Sequence, residues 1–177
     1  VAARLKAQRP SFVLVIAGEG PATPSLQRQV LRDGLAGSVR FVGYLERRKR
    51  LPDCYAAADV FVFASRTETQ GLVLLEAMAA GLPVITTSKG VSGLAVNNGE
   101  HYLGSDDGDQ LALLITQLLN QPWRMAQLSE AGRQFARQRH DWSVAAQQLE
   151  NVHMRLHQAQ PTDATQLVGG WLGRSAK

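Results

Sequence analysis

The sequence is poor in the features that would place it in several common classes. Its single cysteine, Cys54, excludes an internal disulfide and fits a reducing compartment. No apolar stretch reaches the roughly 20 residues needed to cross a bilayer. No signal-peptide pattern follows Val1, since Arg4, Lys6 and Arg9 precede a run of six apolar residues with no small-residue cleavage site after it. The start therefore reads as the interior of a longer protein. No cluster of acids or histidines has metal-ligand spacing, and His153 and His157 share a helix face without a third ligand in view. Gly18-Glu19-Gly20 lacks the third glycine of a dinucleotide fingerprint, and no phosphate-binding lysine of P-loop type is present. Aromatics make up only 6% of the chain, and none interleaves with the basic run Arg47-Arg48-Lys49-Arg50, which argues against nucleic acid as a partner.

What is present belongs to a soluble α/β domain. The 177 residues suit one hydrophobic core, and 45% hydrophobic with 19% charged residues is an ordinary globular composition. A net charge of +4 favours anionic company such as nucleotide phosphates or acidic lipid heads. The Arg47–Arg50 run reads as a solvated loop; its functional version is contact with an anionic membrane surface. Cys54 beside Tyr55 reads as a small packed side chain, and Trp123 and Trp142 as packing anchors at helix starts.

Hydrophobic patterning gives the order of elements. Phe12 to Ala17 is a continuous, β-branched apolar run ended by Gly18 and Gly20-Pro21, which predicts a strand buried on both faces. Helical spacing follows over Ser25 to Ala36, then strands at Val39–Val42 and Val60–Ala64 enclose a helix from Pro52 to Ala58. A helix over Gly71 to Ala80 is stopped by Gly81 and Pro83, and Pro83 to Thr86 is a further strand. This alternation predicts βαβ units and a parallel sheet. A short strand near His101 to Leu103 precedes helices over Leu111–Asn120, Pro122–Arg139 and Trp142–His157. Residues 1–158 form the expected domain, and the polar stretch 159–177 a flexible tail.

One residue breaks the pattern. The helix Gly71 to Ala80 is apolar at every position except Glu76. An ionised carboxylate removed from water costs several kcal/mol unless it is paired or hydrogen-bonded. Glu76 either meets a structural donor, from backbone or an arginine, or emerges at the mouth of a cleft to bind ligand hydroxyls, and the geometry of a parallel sheet favours the second. In parallel sheets ligands gather beyond the carboxyl ends of strands, where Ser65 to Gln70 forms a loop leading to the helix start at Gly71. Backbone N–H groups there carry the positive end of the helix dipole and suit a phosphate. Glu68 on the loop and Glu76 on the helix flank that point.

Glu68, seven intervening residues and Glu76, followed by Ala77-Met78-Ala79-Ala80-Gly81-Leu82-Pro83-Val84, resemble the E-x7-E segment of retaining glycosyltransferases of the GT-B fold, family 4. The resemblance extends over about residues 10 to 158. It takes in Ile16-Ala17-Gly18-Glu19-Gly20-Pro21, Val39-Arg40-Phe41-Val42-Gly43, Ala56 to Val62 and Asp141-Trp142-Ser143. It implies a Rossmann-like parallel sheet flanked by helices, the C-terminal, donor-binding half of a GT-B enzyme. Glu76 would bind the ribose of a nucleotide-sugar donor, and Glu68, in the catalytic position, the hexose being transferred. Gly71 and Leu72 would hold diphosphate or sugar oxygens, with Gln70 in the same loop. Tyr44 and Leu45 would seat the base, and Gly18, in the adjoining turn, would also belong to the nucleotide-sugar donor site. No metal and no cofactor are implied, because donors and the helix dipole can stabilise the departing diphosphate.

The same resemblance implies partners outside this sequence. These are an N-terminal acceptor domain and the first strand–helix unit of the donor domain, without which the fragment should not turn over. Cytoplasmic placement follows, at the inner face of the membrane if the basic run engages lipid. The wording around Thr67 resembles members that act in envelope glycolipid or polysaccharide synthesis. Lys89-Gly90-Val91-Ser92-Gly93-Leu94 departs from the family's glycine-rich loop ending in glutamate. Two alternatives share the pattern: a nucleotide-sugar epimerase of the same fold, and a non-catalytic flavodoxin-like binding module in which Glu76 is only structural.

Overall fold

The structure, a computed structural model, describes residues 1–140 together with residues 150, 151 and 154. Val1–Arg137 forms one compact unit and Gln138–Lys177 a second. The expected helix from Trp142 to His157 lies outside the described residues apart from those three positions, and the tail 159–177 lies wholly outside them.

Among the described residues eleven elements follow in order: α1 (Ala2–Gln8), β1 (Leu14–Ala17), α2 (Thr23–Arg32), β2 (Val39–Gly43), α3 (Arg50–Ala56), β3 (Phe61–Phe63), α4 (Leu72–Ala79), β4 (Val84–Thr86), β5 (Leu103–Gly104), α5 (Gly108–Leu119) and α6 (Pro122–His140). Every strand pairing is parallel. The strands form two hydrogen-bonded groups, β1–β2 and β3–β4–β5. The elements expected within the described residues are all present, with boundaries shifted by a few residues. Helix α5 starts at Gly108 because the Asp107 carboxylate accepts from the N–H groups of Asp109 and Gln110, at 2.7 and 3.3 Å. Helix α1 has no counterpart in the patterning, since Leu5 is its one buried residue. Packing makes it a helix: Leu5 joins Leu111 and Ile115 of α5, and Arg4 pairs with Asp109 at 2.9 Å.

The three-stranded group is covered on both faces. Phe61, Phe63 and Val84 face a cluster with Leu74, Met78 and Phe135, whereas Val62, Ile85 and Leu103 face Leu111, Ile115, Leu118 and Leu128. Adjacent strand residues thus enter opposite cores, the two-residue period of a sheet buried on both sides. The continuous apolar runs of β3 and β4 follow from this.

The two-stranded group corrects an expectation. β1 is buried on one face only: Leu14 and Ile16 point into a cavity with Leu26, Val30 and Phe41, while Val13 and Val15 are 67% and 43% exposed. Helices α1 and α2 flank one side of the pair, and no described element covers the other. Val42 is skipped in the ladder, so that Ala17 pairs with Gly43 after Ile16 pairs with Phe41. This irregularity turns the two strand ends toward one another, and the Gly18 N–H donates to the Gly43 carbonyl at 2.8 Å.

Candidate functional site at the carboxyl edge of the strands

The loops after β2, β3, β4 and β5 interlock at one edge of the strands. The loop after β3 leads through Glu68 to Gly71, the N-cap of α4, with φ of +64°. Only glycine takes that conformation at little cost, and a Cβ there would also lie 2.7 Å from Leu94 Cδ1. The Glu68 carboxylate folds back over the loop. Its Oε1 accepts from the N–H groups of Thr69, Gln70 and Gly71, each at 3.0 Å. These bonds, with Gln70 and Gly71 foremost, hold the Glu68 carboxyl below its ordinary range. Part of the donor set expected to meet a phosphate is therefore engaged by the protein's own acid. Gly71 brings no side-chain cap to α4, so the first-turn N–H groups of Leu72 and Val73 receive no acceptor from the N-cap residue, and Leu72 is 49% exposed.

Glu76 has the structural partners that the sequence reading ranks second, and it keeps some exposure. Leu74, Leu75, Ala77 and Met78 around it are buried, yet its own side chain is 26% exposed. Its partners come from the segment after β2 and from α3. Oε1 accepts from Arg47 through both Nε, at 2.8 Å, and Nη2. Oε2 accepts from the Tyr55 hydroxyl at 3.3 Å. Burial, followed by the neighbouring Glu76 charge, pushes the Tyr55 phenol up to about 12, so it stays a donor across the physiological range. The bond to Glu76 raises the Arg47 guanidinium above its ordinary value. An arginine does meet the carboxylate, and the pair stays partly in solvent.

The remaining expected residues lie in two groups. Gly18, Tyr44 and Leu45 lie in the two adjoining turns after β1 and β2, and the Tyr44 N–H donates to Glu19 Oε1 at 3.3 Å. Tyr44 is 72% exposed, available as a face on which a ring could rest. Glu68, Gln70, Gly71, Leu72 and Glu76 share the β3–α4 segment, and Arg47 ties it to the turn that carries Tyr44 and Leu45.

Three contributions escape sequence reasoning. Arg47 sits inside a basic run whose reading as a solvated loop conceals its bond to Glu76. Tyr55, three residues past Pro52, shows only as a helix residue. The Lys89–Leu94 segment, despite its departure from the expected motif, packs on the site: Leu94 lies over Gly71, and Gly93 is so close that a Cβ would sit 2.9 Å from the Thr69 carbonyl. The base of that segment is tied down by the Thr87 hydroxyl, which donates to the Ser65 carbonyl, and by Ser88, whose N–H and hydroxyl donate to Asp106 at 2.8 and 2.6 Å. Those bonds hold the Asp106 carboxyl below its ordinary range.

Among the described residues no helix is long and apolar enough to cross a membrane. Among them, too, no three His, Cys, Asp or Glu side chains gather as a metal centre would need.

Comparison with known proteins bears on the family and the fold. The chain is 38% identical over 128 residues to mannosylfructose-phosphate synthase of Agrobacterium fabrum, which covers 70% of this chain and 28% of that protein. It is 33% identical over 154 residues to a GDP-mannose-dependent monoacylated alpha-(1-6)-phosphatidylinositol monomannoside mannosyltransferase of Corynebacterium glutamicum, covering 82% and 40% of the two chains. The chain thus spans well under half the length of these relatives. Among solved structures, Anabaena HepE in complex with UDP and glucose superposes with a TM-score of 0.75 at 25% identity, over 87% of this chain and 44% of that one. The family model for glycosyl transferases group 1 matches residues 1–135, most of the chain, with the β3–α4 segment inside the match. Parallel strands flanked by helices, a carboxyl-edge site and this match together make the chain a member of the glycosyl transferases group 1 family, with the fold of GT-B enzymes.

Proposed function

We propose that this chain is the donor-binding domain of a retaining, metal-independent family 4 hexosyltransferase, which moves a hexosyl group from a nucleoside-diphosphate sugar to an acceptor hydroxyl in envelope glycolipid or polysaccharide synthesis. The observation that carries this reading is Glu76: a carboxylate on a helix packed with Leu74, Leu75 and Met78 that nonetheless opens to solvent beyond the strand ends. Ribose hydroxyls would donate to Glu76, and the first-turn N–H groups of α4 would meet the diphosphate. Glu68, with one oxygen engaged by the loop amides, would present the other to the hexose. As the bond from sugar to diphosphate breaks, charge builds on the phosphate oxygens. Preorganised N–H donors and the helix dipole stabilise that charge without a metal.

The wider assignments rest on supporting features. HepE is described in complex with UDP and glucose, and the Corynebacterium relative is named for GDP-mannose and a phosphatidylinositol mannoside, so nucleotide sugars and lipid-linked acceptors run among the relatives. The unladdered edges of β1 and β3 support a further strand of this domain, and the small share of each relative that is spanned supports a separate acceptor domain. Placement in the cytoplasm, with the Arg47–Arg50 run against the inner face of the membrane, belongs to the same reading.

Titration calorimetry of the full-length protein with UDP and with GDP tests the assignment. One of them binds, and Glu76→Ala weakens it about tenfold or more, as expected when hydrogen bonds to a charged acceptor are lost. Equal binding by two folded proteins would remove the site. Mass spectrometry of products from a panel of nucleotide sugars then identifies the hexose.

A further inference from the structure

The acceptor positions of Glu76 are nearly all in use. A carboxylate offers about four lone-pair sites, two on each oxygen. Oε1 receives two N–H donors from Arg47, and Oε2 receives the Tyr55 hydroxyl. One site is left, on Oε2. A ribose 2′,3′-diol brings two donors, which with the three already present would make five on one carboxylate, and the exposed Arg47, not the partly buried Tyr55, is the donor free to give way. The Arg47 side chain is 66% exposed and belongs to a loop, so it can exchange its partner for water.

We propose that Arg47 is an internal competitor for the ribose site, a latch on Glu76 that a vicinal diol must displace and a single hydroxyl need not. The inference rests on the reading of Glu76 as the ribose-binding acid and adds to it the residue that tunes its affinity. Before binding, the guanidinium keeps the carboxylate paired and oriented, so that no bare charge faces the apolar helix. On binding, the two N–H donors on Oε1 are replaced by sugar hydroxyls. An ion pair this exposed is weak, so the latch lowers affinity modestly, by up to about fivefold. A 2′-deoxyribose, with one hydroxyl to give, uses the remaining site on Oε2 and leaves Arg47 in place. The latch therefore narrows the preference for ribose over deoxyribose.

The test measures, in the full-length protein, the ratio of affinities for a nucleoside diphosphate and its 2′-deoxy counterpart, with UDP and GDP as the two probes. Taking the ratio cancels the general loss of attraction for diphosphate when a positive charge is removed. Arg47→Ala should raise the ratio by up to about fivefold, and Arg47→Lys, which restores charge with one donor at a time, should fall between. In a Glu76→Ala background the effect of Arg47→Ala on the ratio should vanish. A ratio that is unchanged or lower in Arg47→Ala overturns the latch, even where Glu76→Ala alone weakens binding. Should Glu76→Ala leave both affinity and ratio unaltered, the ribose assignment itself fails and the latch falls with it. Thermal melts of each variant confirm folding, which a side chain this exposed should not disturb.

Discussion

The β1–β2 group and the β3–β4–β5 group are built from similar residues with the same parallel pairing, yet they differ in cover. Val84, Ile85 and Thr86 of β4 are completely buried between two clusters, one anchored by α4 and α6, the other by α1 and α5. β1 carries an equally apolar sequence, but Val13 and Val15 meet solvent, and α2 has no buried residue at all. The lesson is that an apolar strand advertises the need for cover on both faces, not the presence of it. The site straddles this divide. Glu68, Gly71 and Glu76 stand on the packed group, while Gly18, Tyr44, Leu45 and Arg47 come from the loops of the thinly covered one.

The contrast can be pressed hardest in the core. Met78→Ala, at a completely buried position, should lose about 2–5 kcal/mol, whereas Leu31→Ala on α2, 68% exposed, should stay within about 0.5 kcal/mol. Denaturant midpoints measure both, and comparable losses would abolish the distinction. Glycines extend it to the backbone. A Cβ on Gly104 would lie 2.6 Å from the buried Thr86 carbonyl and 2.7 Å from the Tyr102 ring, so Gly104→Ala should cost about 1–3 kcal/mol. At Gly37, before β2, a Cβ would meet nothing within 4 Å, and the backbone there has no positive φ. Gly37→Ala should therefore stabilise slightly, by about 0.4–1 kcal/mol, through the unfolded chain.

The smallest effect is electrostatic. Glu68 is held below the ordinary glutamate value of 4.5 by its bonds from Gln70, Gly71 and Thr69, so it contributes order to the loop fully above that value and loses it as pH falls through its lower folded one. NMR resonances of those three amides should move together in a transition below pH 4.5, and Glu68→Gln should abolish it. Independent titration of the three would break the picture of one carboxylate bridging them.

Much of the candidate site was legible because its residues are local. Glu68, Gln70, Gly71, Leu72 and Glu76 lie within one short segment, where a strand, a turn and a helix with a lone acid express their spacing directly. The Gly81 stop is an equally local signal. Arg47, Tyr55 and the Lys89–Leu94 segment were not legible, since each reaches the site from another element. A basic run looks the same whether its arginines are solvated or one of them turns inward.

By itself the sequence determined the order of strands and helices, the parallel βαβ connection and the anomaly at Glu76, because periodicity and turn chemistry act over a few neighbouring residues. Only the tertiary structure decided which strand faces are covered, that Glu68 spends an oxygen on its own loop, and that Arg47 meets Glu76. Those outcomes depend on contacts between segments far apart in the chain, whose distances no local pattern encodes.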